Sequence, residues 1–237
     1  MARLKNIIIN DKYKVKHFIE STSFCEVYSG EELQEKSLVT LSIYNSSKIS
    51  RDDLDENGNL REVNFLETGI TGLPKLMGFG EFNYELEKFR YIATEFISGE
   101  TVMDRMKRKG PLGEFEAVNI AIELAKITQE LHNKEKPILI NGLSLDNVIF
   151  DMSSESEQIK LRNLINLRYF EDEFQYSYVD GVSPFLLASE CFSDVFTVKT
   201  DQFNIAALLY NMIKGIPPFL HDKLSELNSK DSIDKFL

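Results

Sequence analysis

The sequence predicts an α+β fold of two lobes, a sheet with one inserted helix followed by a mainly helical portion. Three observations lead there. Residues 13–45 and 73–97 hold runs of β-branched and aromatic residues, several in the near-alternation of a strand. Residues 113–134 and 201–215 instead repeat their apolar positions at helical spacing. The two regimes meet at Ser98-Gly99 without a low-complexity linker. One domain over 1–237 is therefore expected, its first lobe from about 8 to 97 and its second from about 100 to 237.

In the first lobe YKVKHFIE (13–20) alternates, CEVYSGEE (25–32) is a short β run ending in a turn, and SLVTLSIYN (37–45) is β-branched and apolar. The polar stretch 46–59 precedes a helix that sets Leu60, Val63 and Leu66 on one face. LPKLMGFGEF (73–82) and FRYIATEFI (89–97) read as two more strands about a polar turn. In the second lobe TVMDRMKRKG (101–110) has the Thr start and Gly stop of a short helix. GEFEAVNIAIELAKITQELHNK (113–134) carries a helical pattern, with His132 near its end where the macrodipole favours a cation. ILINGLSLDNVIF (138–150) runs from one apolar stretch through Asn141-Gly142 and Asp146-Asn147 into another, the rhythm of an active-site loop with no base or nucleophile before Asp146. A short strand at Ile159–Leu161, a loop rich in Phe and Tyr from Tyr169 to Phe185, and a helix at 201–215 stopped by Gly215 complete the reading.

Composition narrows the function classes. Apolar residues make up 43% and charged residues 27%, with 17 Phe and 9 Tyr, which is globular rather than disordered. A formal charge of −11 argues against nucleic acid or an anionic membrane as main partner, because phosphate binding draws on clustered Lys and Arg. Cys25 and Cys191 lie far apart and outside any metal-ligand spacing, so reduced thiols in a cytoplasmic compartment are expected. No signal-peptide pattern opens the chain, and no run approaches the roughly 20 apolar residues of a membrane span.

Seven strings in order carry a family resemblance: INDKYKVKHFIESTSFCEVYSG (9–30), LREVNFL (60–66), ATEFISGETV (93–102), ILINGLSLDNVIF, IKLRNLINL (159–167), GVSPFLLASE (181–190) and KTDQFNIAALLYNMIKGIPPF (199–219). Together they resemble the protein-kinase fold of the Ser/Thr type. The resemblance implies an antiparallel N-lobe sheet with an αC helix bearing Glu62, Thr94 at the gatekeeper position, and a mainly helical C-lobe. That lobe reads as shortened, since 220–237 has room for one or two short helices where the family has two or three; the alternative is a piece of a longer protein.

Kinase chemistry is mostly positioning and charge stabilisation. Matched to the family, the three loop glycines fall at Glu20, Thr22 and Cys25, and the strand-three lysine falls at Ser42. The catalytic-loop His-Arg-Asp falls at Ile140, Asn141 and Gly142, and the metal-binding Asp-Phe-Gly at Asn163, Leu164 and Ile165. Of the phosphate and magnesium groups only Asn147 is kept, and a lone neutral carboxamide does not hold Mg²⁺ against its hydration shell. Framework positions are kept: Ile140, Leu164, Leu66 and Leu76 match the apolar spine, Asp201 the aspartate that bonds the loop backbone, and Glu190 the end of the activation segment.

The resemblance thus implies a pseudokinase, not an enzyme, with no metal. It would act on another protein as a scaffold or allosteric regulator, an active kinase or a membrane-associated complex being the partner types. An alternative is a metal-independent nucleotide sensor taking ATP or ADP in an adenine pocket of Val27, Thr40, Thr94, Phe96, Asn147 and Ile149. An atypical transferase would have to draw on Glu20, Asp146 or Glu62. Several residues carry two readings. Glu62 is a locally bonded helix residue or a switch element; Lys14 or Lys16 faces solvent or replaces the missing lysine; Asn147 bonds the loop backbone or contacts nucleotide. RYFEDEFQYSYVDG (168–181) is a packed loop or a docking surface, with Tyr176 and Tyr178 as phosphorylation candidates, while His17 and His221 have no partner pattern.

Overall fold

The computed structural model describes residues 4–21, 25–153, 157–164, 166–170 and 181–218. The chain divides into two compact units, Met1–Ser98 and Gly99–Leu237. The first holds a six-stranded antiparallel sheet of β1 (Ile8–Ile9), β2 (Tyr13–Ser21), β3 (Cys25–Glu32), β4 (Leu38–Asn45), β5 (Leu76–Tyr84) and β6 (Glu87–Glu95), in the order β1-β2-β3-β4-β6-β5. Alternation along these strands sends Tyr13, Val15, Tyr28, Val39, Leu41, Ile43, Phe89 and Tyr91 into one core with Leu4, Ile9 and Phe82. Burial of each such side chain contributes about 1.5–3 kcal/mol.

Residues near one edge of the sheet bond its other edge. The Tyr13 hydroxyl donates to the Met77 carbonyl at 2.9 Å, and Asn10 Nδ2 donates to the Glu81 carbonyl at 3.1 Å. The sheet therefore curls over its apolar face. Gly78 permits the approach, since a Cβ there would lie 2.5 Å from the Tyr13 hydroxyl.

Ile8 and Ile9 supply edge strand β1. Two expectations are corrected in this unit. Helix α1 spans Arg61–Leu66, so Leu60 is its extended N-cap, and the buried face is Val63, Phe65 and Leu66. Strand β6 stops at Glu95, which leaves Phe96 beyond it. Sequence periodicity resolves element type better than element ends, because the last residues are decided by which partners remain for their backbone groups.

The second unit is mainly helical: α2 (Val102–Lys109), α3 (Glu114–His132) and α4 (Val198–Lys214). Helix α2 begins in a capping box in which Thr101 Oγ accepts from the Asp104 N–H at 3.0 Å, and it stops at Gly110 with φ 84°. Helix α4 begins at Thr197 in the same way and stops at Gly215, φ 76°. Helices α3 and α4 run antiparallel: the Leu112 N–H donates to the Met212 carbonyl at 2.8 Å, and His132 meets Asp201 at the other end. Two small ladders, β7 (Ile138–Leu139) with β10 (Arg168–Tyr169) and β8 (Val148–Asp151) with β9 (Gln158–Leu161), frame the loop between them. The apolar stretch that opens 138–150 thus forms a strand of only two residues. No described helix is long and apolar enough to cross a membrane.

Candidate functional site

Each unit contributes one set of the residues singled out by sequence. In the first, Ser42 on β4 stands opposite Val27 on β3 and Ile92 on β6. One step along, Thr40 stands opposite Ser29 and Thr94, with Leu76 beyond Thr94 on β5. Val27, Thr40 and Thr94 therefore share the sheet face opposite the aromatic core, and Ser42 lies among them. Phe96 is half-buried past the end of β6, and Leu66 is buried on α1.

With serine at position 42, Glu62 has another partner. Tyr44, two residues along β4 and on the same face as Ser42, donates its hydroxyl to the Glu62 carboxylate. Burial, then the neighbouring Glu62, hold the Tyr44 phenol well above its ordinary pKa, so it stays a donor throughout the physiological range. Of the two readings for Glu62, local bonding is the one observed. Neither candidate lysine substitutes: Lys16 pairs with Glu31 at 2.5 Å, and Lys14 is exposed. Removing the hydroxyl in Tyr44→Phe is expected to lower stability by about 1–2 kcal/mol, the scale of a part-buried hydrogen bond to a charged group. Urea unfolding of both proteins measures it, and an unchanged midpoint would dismiss the clasp.

In the second unit Asp201, on the first turn of α4, is buried with 2% exposure. Its Oδ2 accepts the Ile140 N–H at 2.8 Å, its Oδ1 accepts the Asn141 N–H at 2.9 Å, and His132 Nε2 lies 2.8 Å from Oδ2. His132 thus does more than end α3. One turn on, Asn204 accepts the Leu143 N–H at 2.7 Å and donates to the carbonyls of Leu143 at 3.2 Å and Leu186 at 2.9 Å. Asn147 Oδ1 accepts the Ser144 N–H at 3.1 Å and the Ser144 hydroxyl at 2.8 Å, so its carboxamide oxygen serves the loop. Asn141 and Gly142 have φ of 56° and 110°. Glycine reaches that second value freely, and residues with a side chain rarely do. Asn163 also has positive φ, 58°, where asparagine is better tolerated than most residues. Ile140, Leu164 and Ile149 are buried, and Ile149 forms a β-bridge to Thr101.

The acid/base candidates stand on separate elements. Asp146 is half-exposed, 4.0 Å from Lys107 Nζ, while Glu20 lies on β2 and Glu62 on α1. Among the described residues no group of three or more His, Cys, Asp or Glu side chains is placed to hold a metal. Glu190 is held by a hydrogen bond from Ser189 Oγ at 3.4 Å. Cys25 and Cys191 are both unbridged and buried, and burial pushes the Cys191 thiol up to about 11. Thr22, Ile165, Tyr176, Tyr178, His221 and most of 168–181 lie outside the described residues.

Sequence reasoning missed Tyr44, Asn204 and Arg105. Arg105 on α2 is 7% exposed and gathers Glu100, Glu116 and Glu157, while its guanidinium carbon stacks 3.4 Å from the Phe150 ring centre. No local pattern could have revealed these partners. They lie 18 residues away for Tyr44–Glu62, 61 for Asn204–Leu143 and 52 for Arg105–Glu157.

A family model described as protein kinase domain matches residues 13–236. The mouse protein "Serine/threonine-protein kinase tousled-like 2" is 24% identical over 232 residues, covering 91% of this chain and 32% of that protein. "Myosin light chain kinase A" of Dictyostelium discoideum is 20% identical over 215 residues, covering 91% of this chain and 70% of that protein. "Serine/threonine-protein kinase VIK" of Arabidopsis thaliana is 30% identical over 134 residues, covering 54% of this chain and 30% of that protein. The chain spans about a third of the length of the tousled-like relatives.

Proposed function

This chain belongs to the protein kinase domain family, and we propose that it is a catalytically inactive member that works by binding another protein, as a scaffold or allosteric regulator. The observation that carries the reading is Gly142. At the position matched to the catalytic aspartate, the chain has a glycine whose φ of 110° a side chain would strain. The substitutions at the other reactive positions point the same way. Ser42 has no ammonium to offer phosphate, Glu62 is engaged by Tyr44, and Asn163 is neutral where a metal needs a carboxylate. Loss of one such group costs orders of magnitude in rate, and here they are lost together. The frame that Asp201 and Asn204 hold serves the fold without serving transfer. The relatives are named as kinases, and they support the family rather than the activity of this chain.

A second reading, a metal-independent nucleotide sensor, draws on Val27, Thr40 and Thr94 sharing one sheet face. A thermal-shift titration with ATP, ADP and AMP, in Mg²⁺ and in EDTA, beside a phosphate-transfer assay, separates the readings. A ligand at 100 times its dissociation constant adds about 2.7 kcal/mol, which for a chain of this size is on the order of 5–10 °C. The expected result is no shift and no transfer. A shift that survives EDTA would turn the conclusion to the sensor. A shift that requires Mg²⁺, with phosphate transferred, would overturn inactivity and direct attention to Glu20, Asp146 and Glu62.

A further inference from the structure

We infer that Asn57 is a site of spontaneous covalent modification, which closes with Gly58 to a succinimide, opens to isoaspartate and so alters the turn leading into α1. The inference stands apart from the inactive-member reading and does not rest on it. The chain has two Asn-Gly pairs, Asn57-Gly58 and Asn141-Gly142. A glycine after asparagine has no Cβ to keep its backbone nitrogen from the neighbouring carboxamide. By sequence the two pairs are equal. The structure separates them.

Asn57 is exposed on the loop between β4 and α1, and Gly58 is half-exposed. Among the described residues the Asn57 carboxamide holds no hydrogen bond; its backbone N–H donates to Asp55 Oδ1 at 2.9 Å. A Cβ on Gly58 would meet nothing within 4 Å, so the Asn57 side chain has room to swing over the Gly58 nitrogen. The restraint is the Gly58 N–H, which donates to the Asp55 carbonyl at 3.0 Å. That bond lies in a polar surface turn, where local opening costs little. Asn141 differs at each point. It is 4% exposed, its N–H donates to Asp201 Oδ1 at 2.9 Å, and its Nδ2 donates to the Asn166 carbonyl at 3.1 Å. Its carboxamide can reach Gly142 only by breaking out of a buried loop.

The step needs only water. Hydroxide takes the Gly58 N–H proton and the nitrogen attacks Asn57 Cγ. The new N–Cγ bond closes a five-membered imide, the Cγ–Nδ2 bond breaks, and ammonia leaves. Water then opens the imide. Cleavage at Cγ gives aspartate, whereas cleavage at the Asn57 main-chain carbonyl gives isoaspartate, whose main chain runs through Cβ and Cγ. Either product gains one negative charge, and isoaspartate also lengthens the chain by one atom. The turn has bonds to lose. The Asp55 N–H donates to the Asn59 carbonyl and the Asn59 N–H to Asp55 Oδ1, both at 2.8 Å. The Arg90 guanidinium donates to the Gly58 carbonyl and pairs with Glu81 at 2.8 Å. An added main-chain atom between Asn57 and Gly58 moves these groups out of register, just ahead of the Leu60 N-cap of α1.

The test ages the whole chain at neutral and at alkaline pH and maps its peptides by mass spectrometry, with isoaspartate labelled by protein-isoaspartate methyltransferase. The peptide carrying Asn57 should gain one dalton at least tenfold faster than the peptide carrying Asn141, and faster at alkaline pH. In urea, which removes the fold, the two rates should converge. Asn57→Gln, at an exposed position, should abolish labelling of the first peptide. Equal rates in the folded chain would overturn the selection of Asn57. An Asn57 that reacts in urea but stays intact in the folded chain would overturn the proposal, because the Gly58 bond would then lock the turn. The aged form separates from the fresh one by its added charge on ion exchange. In it the Gly58 and Asn59 amides should exchange hydrogen faster, and unchanged exchange would overturn the effect on the turn.

Discussion

Asp201→Ala is expected to cost about 3–5 kcal/mol, because it strips the acceptor from two buried backbone N–H groups and from His132 together. Each buried donor left without a partner costs about 1–3 kcal/mol, more when the lost acceptor is charged. The loop cannot recover these bonds by turning outward, since Ile138, Leu139 and Ile140 on one side and Leu143 and Leu145 on the other are buried. Asp201→Asn is expected to fall between, for its amide keeps one acceptor and places a donor against a donor. Chemical denaturation gives the loss. Hydrogen exchange localises it: the amides of Ile140, Asn141 and Leu143 should lose protection first. Loss of stability with those amides still protected would show that Asp201 acts elsewhere.

Arg105→Met is the second large effect, expected at about 2–4 kcal/mol. The guanidinium satisfies Glu100 through Nε at 2.9 Å, Glu116 through Nη1 at 2.9 Å, and Glu157 through a fork with distances of 2.5 and 3.1 Å. Removing one side of a buried ion cluster costs about 3–5 kcal/mol. Here the acids are partly exposed and can rehydrate, which lowers the figure. Arg105→Lys keeps the charge but neither the fork nor the stacking on Phe150, and should recover less than half. The pH dependence follows from Glu100, whose carboxyl is held below its ordinary range by Arg108 first and by Arg105 as well. A lowered carboxyl pKa gives stability that is present above the unfolded value, about 4.3, and lost as pH falls through the folded one. The gap between wild type and Arg105→Met should therefore narrow below about pH 4 by the part that Arg105 adds to the Glu100 shift, since Arg108 keeps the larger part in both proteins. A gap independent of pH would mean that packing on Phe150, rather than charge, carries the effect.

What the sequence determined by itself was local order and chemical inventory. Strand alternation, the helical repeats of α3 and α4, and the stops at Gly110 and Gly215 are written in neighbouring residues, because each is decided within a few positions. So is the absence of lysine at 42 and of aspartate at 142 and 163, which needs only alignment to the family pattern. The tertiary structure alone decided what took the place of the missing chemistry. Tyr44 claims Glu62 because α1 packs over its face of the sheet, His132 meets Asp201 because α3 and α4 lie antiparallel, and Asn204, one turn beyond Asp201 on α4, meets Leu143 because the loop lies along that helix. The three carboxylates around Arg105 come from the turn before α2, the start of α3 and the residue before β9. Such partners are chosen by the geometry of packed elements, where a residue's nearest neighbours in space stand tens of positions away in the chain.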